Sequence, residues 1–161
     1  YLLLNVLLGG NMSSRLFQEI REKRGLAYSI YSYVASYSDS GYLAIYLGVD
    51  RESVDESLAL IFQEVYNMQH NLVSEIELAN AKDFVKSGLF LSMENMETIM
   101  TRNARNELHF GRYIALEEVL ALIDRVSRED ILHLSKRIFG RQGLTFTGLG
   151  PLEETDVDLQ S

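Results

Sequence analysis

The sequence contains no cysteine and no tryptophan, and its 161 residues include one proline, Pro151. The absence of cysteine excludes a disulfide framework, a thiolate zinc site and a thiol nucleophile. It also leaves the redox compartment, and with it the cell compartment, open. Because no linker rich in proline, glycine or serine interrupts the chain, we expect residues 1–161 to form a single domain.

Basic clusters and membrane-spanning apolar runs are also missing. Fifteen Lys and Arg residues against 23 Asp and Glu residues give a formal net charge of −8. Phosphate binding needs a basic face, so a nucleic acid partner is disfavoured. The opening apolar run Leu2–Leu8 is too short to span a bilayer and lacks the basic segment of a signal peptide. We therefore expect neither a nucleic acid nor a membrane as partner.

Histidines are few and widely separated. The sequence contains His70, His109 and His133, and none of them has a second histidine within a helical turn or two. Neither the His-Glu-x-x-His motif nor its inverted form His-x-x-Glu-His occurs, and no G-x-S-x-G motif is present. The residues therefore predict no metal site and no catalytic residue in this chain.

The first fifty residues predict two helices followed by a hairpin. Gly9-Gly10 ends a helix formed by the opening leucines, and Ser13 caps a second helix that ends at Gly25. A tyrosine-rich strand then begins at Leu26, and the turn signal Asp39-Ser40-Gly41 separates it from a second strand.

The second predicted strand alternates between aliphatic residues and tyrosines. Alternate side chains of a strand point to opposite faces, so one face is expected to pack against helices. That aliphatic face consists of Leu43, Ile45, Leu47 and Val49, and the opposite face carries Tyr42 and Tyr46.

The remaining sequence is predicted to be mainly helical. Three helix starts are predicted, at Asp50, at the capping box Ser74-x-x-Glu77 and at Ser127. The second of these helices continues to Gly111, with a kink near Gly88 or Glu94-Asn95. A closing strand is predicted at residues 144–148.

Few strands and many helices predict an α+β fold, in which a compact antiparallel sheet has helices packed on one face. The predicted sheet looks one strand short, so we expect a chain truncated at its N-terminus. An unpaired sheet edge recruits partners, which makes a homo-oligomer an open alternative.

The glycine turn has two interpretations. The segment from Gly9 to Ser14 precedes a helix N-terminus, a geometry that can hold an anion. It matches neither a Walker loop nor a dinucleotide fingerprint, and the sequence favours a flexible turn between two helices.

One continuous stretch of the sequence resembles a known family. Residues 8–29, LGGNMSSRLFQEIREKRGLAYS, resemble the signature of the second, non-zinc domain of the pitrilysin, insulinase and mitochondrial processing peptidase family. Further resemblance follows in order along the chain, at Asp39-Ser40-Gly41, at Gly48-Val49-Asp50 and at residues 107–113. The short glycine turn is more similar to that of the bacterial or catalytic chains of this family than to the long glycine-rich loop of the non-catalytic processing-peptidase subunit.

The resemblance implies the substrate-closing, C-terminal half of a zinc endopeptidase. In such a two-half clamshell, zinc is bound by the N-terminal half, which is absent from this chain, so the chain alone carries no zinc and is inactive. The implied partners are that catalytic half and a peptide substrate. The family's arginine and tyrosine, seven positions apart and close to the scissile bond, match Arg21 and Tyr28.

Two other functions remain open from the sequence. The same fold occurs in non-catalytic structural or partner subunits, such as the core subunits of respiratory complex III. The other alternative is a free-standing anion-binding domain that uses the turn from Gly9 to Ser14.

Overall fold

The computed structural model describes residues 1–140 and 144–151. Helix α1 (Leu2–Leu8) and a π-helix (Phe17–Glu22) precede strands β1 (Ala27–Ser36) and β2 (Gly41–Val49). A short 3₁₀ turn (Arg51–Ser53) then leads to five helices: α2 (Val54–His70), α3 (Glu75–Ser92), α4 (Met96–Phe110), α5 (Leu116–Arg125) and α6 (Arg128–Ile138). Within the described residues the sheet is the antiparallel pair β1–β2. The predicted α+β fold is confirmed.

The opening leucine run forms the centre of the hydrophobic core. Helix α1 contacts β1, α3 and α6, and the glycine that follows it ends the helix as predicted. The apolar side chains that lose all solvent contact come from α1, the segment around the π-helix and α2: Leu4, Leu8, Leu16, Ile20 and Met68. Burial of each such side chain contributes about 1.5–3 kcal/mol.

The two faces of the hairpin are distributed as the alternation predicts. The aliphatic residues Leu43, Ile45, Leu47 and Val49 are partly buried and pack against the core. Tyr42 and Tyr46 lie on the other face, where 51% and 48% of their surface is exposed. The helices therefore cover one side of the hairpin, and the tyrosine side faces outward.

The C-terminus of α1 lies directly against β1. The backbone N–H of Ser32 donates a 3.0 Å hydrogen bond to the carbonyl oxygen of Gly9. A Cβ atom on Gly9 would stand 2.7 Å from Ser32 Oγ and 2.8 Å from Ser32 N, closer than any side chain allows. Glycine is therefore required at position 9 to let helix and strand approach each other.

Gly9→Ala is expected to lower the free energy of unfolding by about 1–3 kcal/mol, because helix and strand must move apart. Gly88→Ala is the matched control. Gly88 lies inside α3, and no atom of another described element lies within 4 Å of the place that an alanine Cβ would take. Alanine should therefore stabilise the chain there by about 0.5–1 kcal/mol. Denaturant unfolding followed by circular dichroism measures both. Equal stability of the two variants would contradict the close approach.

The long helix predicted from Ser74 to Gly111 is in fact two helices. The capping box of Ser74 and Glu77 begins α3, and Gly111 ends α4 with φ of 64°. Between them, the Asn95 side chain accepts hydrogen bonds from the backbone N–H groups of Glu97 and Thr98, at 2.9 and 3.2 Å. Of the two predicted kink positions, the break lies at Glu94-Asn95.

One prediction in the last third of the chain is wrong, and one helix there was missed. Residues 144–148 form no strand: they are irregular and exposed. A strand needs a hydrogen-bonded neighbour, and within the described residues the β1–β2 hairpin takes no third strand. Helix α5 was not predicted, although Glu117 and Glu118 occupy its acidic first turn. The predicted start at Ser127 is confirmed by a capping box with Asp130.

The predicted cap at Ser13 is also wrong by one residue. The helix that contains the π-helical segment begins at Arg15, directly after Ser14. The backbone N–H of Ser13 instead donates a 2.7 Å hydrogen bond to Asn11 Oδ1, and Ser14 N donates to the carbonyl oxygen of Asn11. Ser13 therefore belongs to a turn that begins at Asn11, although its local propensity predicts it to be the helix cap.

Candidate functional site

Arg21 lies in the last turn of the π-helix and is exposed. Its guanidinium carbon stands 5.0 Å from the centroid of the Phe17 ring, on the same helix. Within residues 1–140 and 144–151 it makes no side-chain hydrogen bond and no ion pair. An exposed guanidinium with five free donors can bind a carbonyl or a carboxylate group.

The neighbouring cations differ from Arg21 in being paired. Lys23 forms an ion pair with the Glu19 carboxylate, and Arg24 donates to the Glu19 carboxylate at 2.7 Å and to the Glu19 carbonyl oxygen at 2.8 Å. The hydrogen bonds from Lys23 and Arg24 hold the pKa of Glu19 below its ordinary value. The Glu19 carboxylate therefore binds both Lys23 and Arg24, the two cations that follow Arg21 in the sequence.

A glycine turn connects the π-helix to β1. Gly25 has φ of +65°, which glycine adopts without strain, and this confirms the predicted helix end. Its N–H donates to the carbonyl oxygen of Arg21 at 3.1 Å, and the N–H of Leu26 donates to Ile20 O at 3.0 Å. The bond from the Gly25 N–H to the carbonyl oxygen four residues earlier is the αL motif that commonly ends a helix. The turn ends the helix and leads the chain into β1, and the residue seven positions after Arg21 is the second residue of that strand.

That residue is Tyr28, and a β-bulge sets its direction. Ala27 pairs with Val49 and Ser29 pairs with Gly48, so Tyr28 is the extra residue between them. Ala27 is buried, whereas 71% of the Tyr28 surface is exposed. The bulge thus turns Tyr28 outward at the start of the strand.

Asp50 binds the Tyr28 hydroxyl group. The phenol oxygen lies 3.2 Å from Asp50 Oδ1 and 3.1 Å from Oδ2, and the hydroxyl donates to the carboxylate. This hydrogen bond, with the negative charge of Asp50, raises the pKa of Tyr28 above its ordinary value. In the sequence, Asp50 marks a predicted helix start and ends the Gly48-Val49-Asp50 resemblance, but no site role is predicted for it. The signal that it has a further role was its place at the exit of β2, opposite the start of β1.

Four more tyrosines cover the outward face of the hairpin. Tyr31 and Tyr46 are cross-strand neighbours whose rings stack with centroids 4.9 Å apart. Tyr33 meets Tyr42 edge to face at 6.0 Å. No Asp, Glu, Lys or Arg lies in either strand. Tyr28 stands at one end of this neutral aromatic face.

Arg15 fixes the start of the helix that carries Arg21, and sequence reasoning gave it no role. Its Nε and Nη2 atoms donate to the two carboxylate oxygens of Glu77, at 2.6 and 2.9 Å. A second carboxylate, that of Glu64 on α2, lies 3.8 Å from Nη1. The bidentate bond to Glu77 is the main reason that the pKa of Arg15 is raised. Arg15 thereby ties this helix to both α2 and α3.

The turn from Gly9 to Ser14 offers few free donors to an anion. The N–H groups of Gly9 and Gly10 both donate to the carbonyl oxygen of Asn5, at 3.0 and 2.8 Å. Those of Ser13 and Ser14 are bound to Asn11. The geometry therefore favours the interpretation of a packing turn over an anion-binding loop.

The described residues do not fit a zinc ion. Among residues 1–140 and 144–151, no three His, Asp or Glu side chains lie together as metal ligands would. The His70 ring stacks on Tyr66 with centroids 3.9 Å apart, and His70 Nδ1 is 2.9 Å from the Tyr66 carbonyl oxygen. None of the helices in the same ranges combines the length and apolar character needed to cross a membrane.

Comparison with known proteins shows the family of this chain. The sequence model of the family described as the peptidase M16 inactive domain matches residues 1–85, more than half of the 161 residues. The chain belongs to this family. The match includes the π-helix, both strands and Asp50, and it confirms the family that the stretch at residues 8–29 indicated.

Individual proteins agree with this assignment. The uncharacterized zinc protease YmxG of Bacillus subtilis (strain 168) is 39% identical over 138 residues, which are 86% of this chain and 34% of the relative. A conserved protein from Enterococcus faecalis V583 shares the fold with a TM-score of 0.74 and 28% identity, over 84% of this chain and 31% of that one. A chain of complex III2 from Candida albicans has a TM-score of 0.69 at 22% identity, covering 84% of this chain and 34% of that one. This chain spans about a third of the length of the curated relatives it matches.

Proposed function

We propose that this chain is the substrate-binding, non-zinc half of a zinc endopeptidase, and that Arg21 and Tyr28 contact the backbone of the peptide substrate. One observation carries the proposal. Arg21 is exposed and makes no ion pair or side-chain hydrogen bond within the described residues, while Lys23 and Arg24 beside it are bound to Glu19. The Gly25 turn and the bulge then present Tyr28 outward at the start of the next element.

The remainder of the proposed enzyme lies outside this chain. Relatives that are 34–39% identical are named zinc proteases, and this chain spans about a third of their length. The described residues do not fit zinc, so the metal and the residues that act with it would belong to an N-terminal half of the same protein. That half and the peptide are the proposed partners.

The chemistry of the two side chains suits a peptide backbone. Arginine provides only donors, which match the carbonyl oxygens of an extended peptide. A hydrogen bond from a charged donor is worth about 1.5–3 kcal/mol. The neutral tyrosine face beside Tyr28 supplies a rigid aromatic surface with little side-chain entropy to lose on binding.

The role of a non-catalytic partner subunit is the second candidate. The likeness to a complex III2 chain is at 22% identity and shows the fold alone. The relatives with higher identity are named zinc proteases, which favours the enzyme.

Photo-crosslinking in the full-length protein tests the proposal. With p-benzoylphenylalanine in place of Tyr28, irradiation should attach a labelled peptide substrate, and excess unlabelled peptide should prevent the attachment. Tyr66 is the matched control position, because it is 55% exposed but lies on α2, in the helical layer. Labelling at position 66 as strong as at position 28, in an active enzyme, would contradict the proposal.

A further inference from the structure

Asp50 and Tyr28 form a pair whose geometry is fixed from both strands. Tyr28 is the bulged residue of β1, and Asp50 directly follows β2. The carbonyl oxygen of Asp50 accepts a 3.0 Å hydrogen bond from Ser53 N, which anchors its backbone at the start of the 3₁₀ turn. Both carboxylate oxygens of Asp50 are within hydrogen-bond distance of the Tyr28 hydroxyl oxygen, at 3.2 and 3.1 Å.

We propose that Asp50 is a positioning residue of the substrate site, which holds the Tyr28 hydroxyl so that its oxygen accepts a hydrogen bond from an N–H group of the peptide. This inference rests on the proposed function and deepens it. It assigns to Asp50 and Tyr28 together a preference for the N–H groups of the peptide backbone over its carbonyl groups.

The hydrogen-bonding capacity of a phenol decides which group Tyr28 can bind. A tyrosine hydroxyl has one hydrogen to donate and lone pairs that accept, whereas an ionised carboxylate only accepts. The single hydrogen of Tyr28 is directed to Asp50, so the remaining capacity of its oxygen is that of an acceptor. A tyrosine phenol is neutral at physiological pH, and the Asp50 carboxylate raises the pKa of Tyr28 further.

Arg21 and Tyr28 then have complementary roles. The Arg21 guanidinium can only donate and therefore binds a carbonyl oxygen, while the Tyr28 oxygen binds an N–H group. An extended peptide presents both groups along each edge, so one strand of substrate can satisfy both residues at once.

The experiment compares variants of the full-length enzyme. Asp50→Ala should lower kcat/KM about three- to tenfold, the effect of one hydrogen bond between neutral groups. The loss should vanish when Asp50→Ala is combined with Tyr28→Phe, because Asp50 acts through the hydroxyl. Asp50→Asn keeps an acceptor oxygen and should recover at least half of the loss. Asp39→Asn, an exposed acid at the opposite end of the hairpin, is the control and should change nothing.

Two further measurements test the inference without relying only on the kcat/KM of the Asp50→Ala enzyme. The ¹³Cζ resonance of Tyr28, identified by its absence in Tyr28→Phe, should titrate at lower pH in Asp50→Ala than in the wild type. Substrates in which one amide near the scissile bond is replaced by an ester lack one N–H group. For one of these esters, the loss caused by Tyr28→Phe should disappear.

The outcomes separate this inference from the proposed function. If Arg21→Ala and Tyr28→Phe both keep wild-type kcat/KM, the proposed function fails. If Tyr28→Phe lowers kcat/KM but Asp50→Ala leaves both the rate and the Tyr28 titration unchanged, the positioning role is overturned and the proposed function stands. A loss in Asp50→Ala that persists in the Tyr28→Phe background, or an Asn variant as poor as the Ala variant, also overturns it. If no ester abolishes the effect of Tyr28→Phe, the acceptor role is wrong.

Discussion

Ile30→Asp is expected to unfold the chain, whereas Tyr31→Asp, one residue further along the same strand, should leave it folded. Ile30 is 3% exposed and lies in the core between α1 and the hairpin, while Tyr31 is 45% exposed on the opposite face. An aspartate at position 30 would lose the burial of the isoleucine and place an unpaired charge among apolar side chains. We expect a loss of about 4–5 kcal/mol or more, a large part of the stability of a domain this size.

The comparison is made by denaturant unfolding followed by circular dichroism. Tyr31→Asp removes one ring stack and should cost about 1 kcal/mol. On the neighbouring strand Ile45 is only partly buried, so Ile45→Asp should fall between the two. Stable folding of Ile30→Asp, or unfolding of Tyr31→Asp, would show that the two faces of the hairpin are assigned the wrong way round.

Elements specified by local residues could be predicted from the sequence. The helix ends at Gly9, Gly25 and Gly111, and the helix starts at Ser74 and Ser127, depend on residues within one turn of the helix end, and all five are confirmed. The alternation in β2 is also a local signal. Because alternate side chains of a strand point to opposite faces, burying the aliphatic residues fixes the tyrosines on the outward face.

The cap predicted at Ser13 failed for a local reason, the turn at Asn11, whereas the failed strand prediction depends on more distant partners. Residues 144–148 have the composition of a strand, but strand formation requires a neighbouring edge, which local composition does not report. Helix α5 is a different case: Leu116, Val119, Leu120 and Ile123 recur at helical spacing, so the local sequence does carry a signal for this helix.

Tyr28 shows the same limit within the candidate site. Simple alternation places it on the same face as Ile30, which is buried. The bulge opposite Val49 and Gly48 reverses this parity, and it can be recognised only from the register of both strands. The bond to Asp50, twenty-two positions away, is equally non-local. The family signature identified Arg21 and Tyr28, but only the structure brings in Asp50.

Arg21→Ala in the full-length enzyme should lower kcat/KM about ten- to a hundredfold, the value of one charge-assisted hydrogen bond made in the transition state. The free energy of unfolding should barely change, because this exposed arginine makes no ion pair within the described residues. Arg24→Ala is the matched control: it removes the same charge three positions away, from a side chain already bound to Glu19. Its kcat/KM should stay close to that of the wild type.

Combining Arg21→Ala with Tyr28→Phe shows which substrate atoms the two residues bind. If both residues bind one carbonyl oxygen, the double variant should lose less than the sum of the two single losses in activation free energy. If Arg21 binds a carbonyl oxygen and Tyr28, oriented by Asp50, accepts from an N–H group, the losses should add. Equal effects of Arg21→Ala and Arg24→Ala would mean that only the net charge of this helix end matters. In that case Arg21 would have no specific contact with the substrate, and its assignment to the site would be wrong.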